Sequence, residues 1–108
     1  MENDQKALAD QIKLAIESEN IPKFYINGFV NAYHIADVIL VCTRNGKVEL
    51  AINMSYTTAK TLAEKLNALI TTFEKRTNHD IMTIDTIKEK ISKFEEEKKN
   101  GSDGQFKQ

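Results

Sequence analysis

The sequence predicts an α+β fold, a three-stranded antiparallel meander packed on one long helix with shorter helices at either end. Three observations predict it. Three short apolar runs with strand-like patterning lie between Phe24 and Met54, an Asn45-Gly46 pair separates the last two, and a broad apolar stripe at spacings of three and four follows from Ala59 to Phe73. Alternation that gives way to helical periodicity within one short stretch is the mark of strands running into a helix.

Taken in order, residues 1 to 4 are polar and read as a frayed end. Asn3 or Asp4 can cap a first helix reaching to about Glu19, with Leu8, Ile12, Ala15 and Ile16 in a narrow apolar stripe and Leu14 outside it. That stripe needs a covering surface. Pro22, the only proline, ends helical continuation and pushes Ile21 toward an extended conformation, which puts a linker around Asn20 to Lys23.

The first strand is expected over Phe24 to Tyr33. Strict alternation places Phe24, Ile26, Gly28, Val30 and Ala32 on one face, and Tyr25, Asn27, Phe29, Asn31 and Tyr33 on the other. Both faces carry apolar or aromatic side chains, and one long helix covers one face only. The aromatic face must therefore meet the N-terminal helix, a second subunit or a ligand. Gly28 marks a bulge or a close backbone approach. His34-Ile35-Ala36 is a short connection, so the first two strands should be antiparallel neighbours.

The run from Asp37 to Cys42 is apolar after its first residue and rich in β-branched side chains, as a central strand covered on both faces would be. Asn45-Gly46 tolerates the positive φ angles of a two-residue hairpin turn. The returning strand alternates Val48, Leu50, Ile52 and Met54 against Glu49, Ala51 and Asn53. Ser55, Thr57 and Thr58 supply hydroxyls to cap the next helix, which should run from Tyr56 to Arg76. Its stripe is Ala59, Leu62, Ala63, Leu66, Leu69, Ile70 and Phe73; Lys75 and Arg76 suit the negative end of the helix dipole, and Asn78 suits a left-handed residue beyond the end.

A third helix is expected from Ile84 to Lys98. Its apolar residues Ile84, Ile87, Ile91 and Phe94 are spaced three, four and three apart, the narrow seam of a short coiled coil. Those four are the candidate oligomer interface. Two heptads gain too little on their own to offset helix nucleation, so the seam asks for a partner helix. Residues 100–108 lack apolar patterning and read as a disordered tail, which leaves one α+β domain over 1–99 with its core in 24–76.

Bulk composition narrows the function. The chain has 108 residues and a formal net charge of -1, with no concentrated run of basic side chains beside the aromatic face, so there is no electrostatic reason to expect nucleic acid. A single cysteine, Cys42, excludes an internal disulfide, gives no basis for a cysteine zinc site and fits a reducing compartment. No signal-like or membrane-spanning apolar run is present, and a cytoplasmic location is the expectation.

Chemistry is sparse. His34 and Asp37 share a turn, but an extended strand puts Cys42 about 16 Å from Asp37, so no Cys-His-Asp constellation follows. Cys42 reads as a small buried hydrophobe. His79-Asp80 lacks further metal ligands, the four glycines form no phosphate loop, and the paired carboxylates of the C-terminal helix read as a solvated face. No catalytic residue, metal or cofactor is assigned. The ladder of Tyr25, Phe29 and Tyr33 with Asn27 and Asn31 between them is the candidate ligand-binding surface, since rings stack on planar ligands and amides read their edges.

The pattern of Tyr25, the run Asp37 to Val41, Ile52 to Ser55, Ala59-Lys60, Leu62, Leu66 and Phe73-Glu74 resembles a family of small uncharacterised bacterial proteins. The resemblance covers about half the chain. It departs at Tyr56-Thr57-Thr58, where that family has a Pro-Glu-His-like helix start, and in the additional terminal helices. It implies a strand-strand-strand-helix core and carries no activity with it. The resulting expectation is a non-enzymatic, homo-oligomeric interaction or adaptor protein whose partner is itself or another protein. The alternative is a small-molecule or nucleotide-binding module built on the aromatic face.

Overall fold

The computed structural model describes residues 2–106, with side chains described for residues 3–100. The fold is α+β: three antiparallel strands in one sheet and three helices, in the order α1 (Glu2–Glu17), β1 (Gly28–Tyr33), β2 (Val38–Arg44), β3 (Lys47–Met54), α2 (Tyr56–Thr77) and α3 (Ile84–Phe106). The sheet order is β1-β2-β3, the meander expected from the short connections. The chain divides into two compact units after Ala59, inside α2.

In the N-terminal unit, α1 ends where Ser18 N–H donates to the Leu14 carbonyl at 2.9 Å, and Lys23 Nζ then donates to the Ser18 carbonyl at 2.8 Å. A lysine ammonium at this position satisfies a carbonyl at the negative end of the helix. The α1 stripe is not covered: Leu8, Ile12 and Ile16 are exposed, and so is Leu14.

Strand β1 is shorter than alternation implied. It begins at Gly28, leaving Phe24 to Asn27 outside the strand, although Asn27 N–H still donates to the Thr43 carbonyl at 3.0 Å. Gly28 is a close-approach glycine, because a Cβ there would lie 2.6 Å from Thr43 Oγ1. The bulge lies elsewhere, in β3. Cys42 pairs with Leu50 while Thr43 pairs with Val48, so Glu49 is one residue too many in β3. The extra residue takes Val48 out of the row of Leu50, Ile52 and Met54 that it was expected to share. The Glu49 carboxylate meets Arg44 Nε at 3.0 Å.

Directly paired residues project to the same face of a sheet. The register therefore puts Phe29, Asn31 and Tyr33 of β1 beside Cys42, Leu40 and Val38 of β2 and Leu50, Ile52 and Met54 of β3. The opposite face carries Val30, Ala32, Ile39, Val41 and Ala51. Cys42, in the middle of the first face between Phe29 and Leu50, is 2% exposed and is the one buried residue among those described.

Between β2 and β3 the loop is the two residues Asn45 and Gly46, closed by the Arg44–Lys47 pair. Their φ angles are 53° and 81°, the left-handed values the sequence called for. Asn27 adds a second latch to this turn. Its Oδ1 accepts from Asn45 N–H at 2.8 Å, and its Nδ2 donates to Asn45 Oδ1 at 2.8 Å.

Helix α2 starts where Ser55 caps it: Thr58 N–H donates to Ser55 Oγ at 3.1 Å, and Ala59 N–H donates to the Ser55 carbonyl at 2.9 Å. It ends at Asn78, whose φ of 55° lets His79 N–H reach back to the Glu74 carbonyl at 3.2 Å. That six-residue closure with a left-handed residue inside it is a Schellman motif. Glu74 does a second job, accepting from Ile81 N–H through Oε2 at 2.8 Å and ordering the connection to the last helix.

In the C-terminal unit, Thr83 caps α3 by accepting from Thr86 N–H at 3.2 Å through Oγ1, and Asp85 places a carboxylate in the first turn. The helix runs past Lys98, its expected end, to Phe106; residues 107–108, at the end of the expected tail, lie outside those described. Glu and Lys are good helix formers, and the run from Glu95 to Lys99 carries the helix onward against a cost of about 1 kcal/mol for each interior glycine.

Candidate functional site

Two surfaces gather the chemistry-bearing and apolar side chains. The first lies at the end of β1, where the chain turns into β2. His34 N–H donates to the Asp37 carbonyl at 2.8 Å, which pins a tight turn of four residues. Such a closure leaves the side chains between its ends pointing outward, and Ile35 is fully exposed. Tyr56, in the first turn of α2, donates its hydroxyl to the His34 carbonyl. Tyr33, His34, Ile35 and Tyr56 together line an open hollow of about 560 Å³.

Of the proposed aromatic ladder, Phe29, Asn31 and Tyr33 do share a sheet face, with Phe29 at 59% and Tyr33 at 82% exposure. Tyr25 lies before the strand, so strand alternation does not place it in that row. Asn27 is taken up by the hairpin turn, with both amide atoms bonded to Asn45. The ladder of five is thus three residues on one face and two that precede the strand, one of which, Asn27, holds a turn with its amide. Sequence reasoning missed Tyr56, which meets His34 across 22 positions. No local pattern marks a contact of that separation.

His34 and Asp37 meet through backbone atoms, not as an acid-base pair: the Asp37 carboxylate accepts from Asn53 Nδ2 at 3.4 Å. Cys42, inside the sheet, is a buried free thiol. Among the described residues no group of three or more His, Cys, Asp or Glu is disposed to hold a metal ion.

The second surface is α3. Ile84, Ile87, Ile91 and Phe94 fall on one face of this helix, and all four are exposed, from 40% at Ile87 to 62% at Phe94. Their exposure is unusual, because an amphipathic helix in a finished structure turns such a row toward a neighbour. The single ion pair within the described part of α3, Lys93 Nζ to Glu89 Oε1 at 3.3 Å, lies away from the row. Helix α2 has no buried residue either; Leu62, Leu66, Ile70 and Phe73 all retain substantial exposure. Among the described residues no helix is long and apolar enough to cross a membrane.

No family model matches the chain, and no curated protein or solved structure is significantly similar to it. Residue-level geometry is therefore the basis for any functional reading.

Proposed function

We propose that this chain is a non-enzymatic, self-associating interaction protein that works as a homo-oligomer in the cytoplasm. One observation carries the reading: the row Ile84, Ile87, Ile91 and Phe94 has coiled-coil spacing and is exposed along its whole length. Burying a large aliphatic or aromatic side chain is worth about 1.5–3 kcal/mol, so four of them in a shared seam favour association strongly. The α2 row from Leu62 to Phe73 has the width to cover a sheet face, and this role for the long helix belongs to the same proposal. The partner is a further copy of the chain, and an adaptor role toward a second protein would use surfaces that assembly leaves open.

Ile87→Asp and Ile91→Asp test the seam. Each puts a carboxylate into the centre of the row, where a buried unpaired charge costs several kcal/mol. The expected result is a lower molar mass by light scattering, with the β-sheet signal in circular dichroism retained. Variants that assemble like the unaltered protein would remove the seam from the argument.

A further inference from the structure

Resting on the self-association just proposed, we infer that the α3 helices associate parallel and in register, joined by ion pairs between Lys90 of one copy and Glu95 of the next. Heptad positions follow from the row itself. With Ile84 and Ile91 at a, and Ile87 and Phe94 at d, Lys88 and Glu95 occupy e while Lys90 and Glu97 occupy g. These are the positions that flank a seam and set the orientation of the partner helix.

The two orientations differ in sign. In a parallel, in-register pair, a g residue faces the e residue five positions further along the neighbour. Lys90 then faces Glu95, and symmetry repeats the contact at each helix boundary. In an antiparallel pair that keeps all four apolar layers, Ile84 would lie over Phe94 and Ile87 over Ile91. Position e then faces e and g faces g near the middle of the seam, so Lys88 meets Lys88 and Lys90 meets Lys90. Like charges at such sites oppose pairing. Sliding the antiparallel pair by one heptad in either direction avoids this but keeps only two of the four layers, those of Ile91 with Phe94 or those of Ile84 with Ile87.

The intrahelical pair does not compete with these contacts. Glu89 and Lys93, at f and c, satisfy each other on the outer surface, away from the e and g positions. Stoichiometry follows from the core residues. Isoleucine fills both a positions and the first d position, with Phe94 at the second d, and isoleucine at a and d favours three or four strands. A parallel bundle of more than two copies is the assembly these residues specify.

The test uses the full-length chain and two single charge reversals, Lys90→Glu and Glu95→Lys, followed by sedimentation equilibrium across a dilution series. Each reversal replaces every Lys90–Glu95 contact by a like-charge contact, and each is expected to raise the dissociation constant by about tenfold at low salt. The double reversal, Lys90→Glu with Glu95→Lys, restores the pairing and should recover the affinity. An equimolar mixture of the two single variants should co-assemble more tightly than either alone. Where the two variants adjoin, the introduced glutamate faces the introduced lysine at one order of neighbours, and the native Lys90 faces the native Glu95 at the other. Helicity at 222 nm, compared at a protomer concentration at which every variant is assembled, should be unchanged, which separates weakened assembly from loss of the helix. Recovery by the double variant and by mixing supports the parallel register. An oligomeric unaltered protein whose affinity is indifferent to the single reversals, or whose double variant is as weak as the singles, overturns it while leaving self-association standing. A monomer at every concentration overturns both.

Discussion

Replacing Asn27 by Ala isolates the latch on the hairpin turn. The side chain makes two bonds to Asn45, accepting from its amide and donating to its side-chain oxygen, both at 2.8 Å. Each bond contributes roughly 0.5–1.5 kcal/mol net, and solvent can replace part of each because both residues are exposed, so Asn27→Ala should cost about 1–2 kcal/mol. Asn45→Gly separates the two bonds. Glycine accepts the φ of 53° at this position and keeps the backbone amide, so only the side-chain bond is lost. The double variant should then be less destabilised than the sum of the singles by about 0.5–1 kcal/mol, the share of the side-chain pair. Urea unfolding at one fixed protomer concentration measures all three, since assembly shifts apparent stability by mass action. Amide exchange gives an independent view: the Asn45 N–H should exchange faster in Asn27→Ala. Additivity within about 0.3 kcal/mol, together with unchanged exchange at Asn45, would refute the latch.

Two further substitutions probe the local rules that build the remaining elements. Ser55→Ala removes the acceptor for Thr58 N–H and should cost about 1 kcal/mol, whereas Ser55→Asp, which restores an acceptor and suits the helix dipole, should lose little; thermal melts followed at 222 nm decide, and equal losses would count against the cap. Gly46→Ala meets no steric obstacle, as nothing lies within 4 Å of its added Cβ, but it inherits a φ of 81°, so its cost of about 1–2 kcal/mol is a backbone cost. Gly46→Asn should lose less, and a melting temperature no lower for Ala than for Asn would contradict that account.

Local signals were legible in the sequence wherever a single residue type is dictated by its own backbone. Asn45-Gly46 demanded a positive-φ turn and forms one, Ser55 caps α2, and Asn78 closes that helix in the left-handed region. The edges of β2, β3 and α2 fell within two residues of their expected places for the same reason. Errors arose where pattern and partner disagree. Val48 continues the alternation of Leu50, Ile52 and Met54 without a break, so nothing in its pattern announces that Glu49 is bulged out. Asn27 fits the alternating aromatic row equally well, yet its amide is used by a turn 18 positions away.

The candidate site divides along the same line. The spacing of Ile84, Ile87, Ile91 and Phe94, and the charges that flank them, are properties of one helix, and a helix has the same periodicity whatever it meets. The sequence alone therefore determined β2, β3, the Asn45-Gly46 turn, the Ser55 cap and the spacing of the apolar row on α3. Tertiary structure decided what lies beside what: Tyr56 against His34, Asn27 against Asn45, and a thiol shut between Phe29 and Leu50. Those contacts join residues far apart in the chain. Their energies depend on how the sheet pairs and where it bulges, and short-range periodicity carries no record of either.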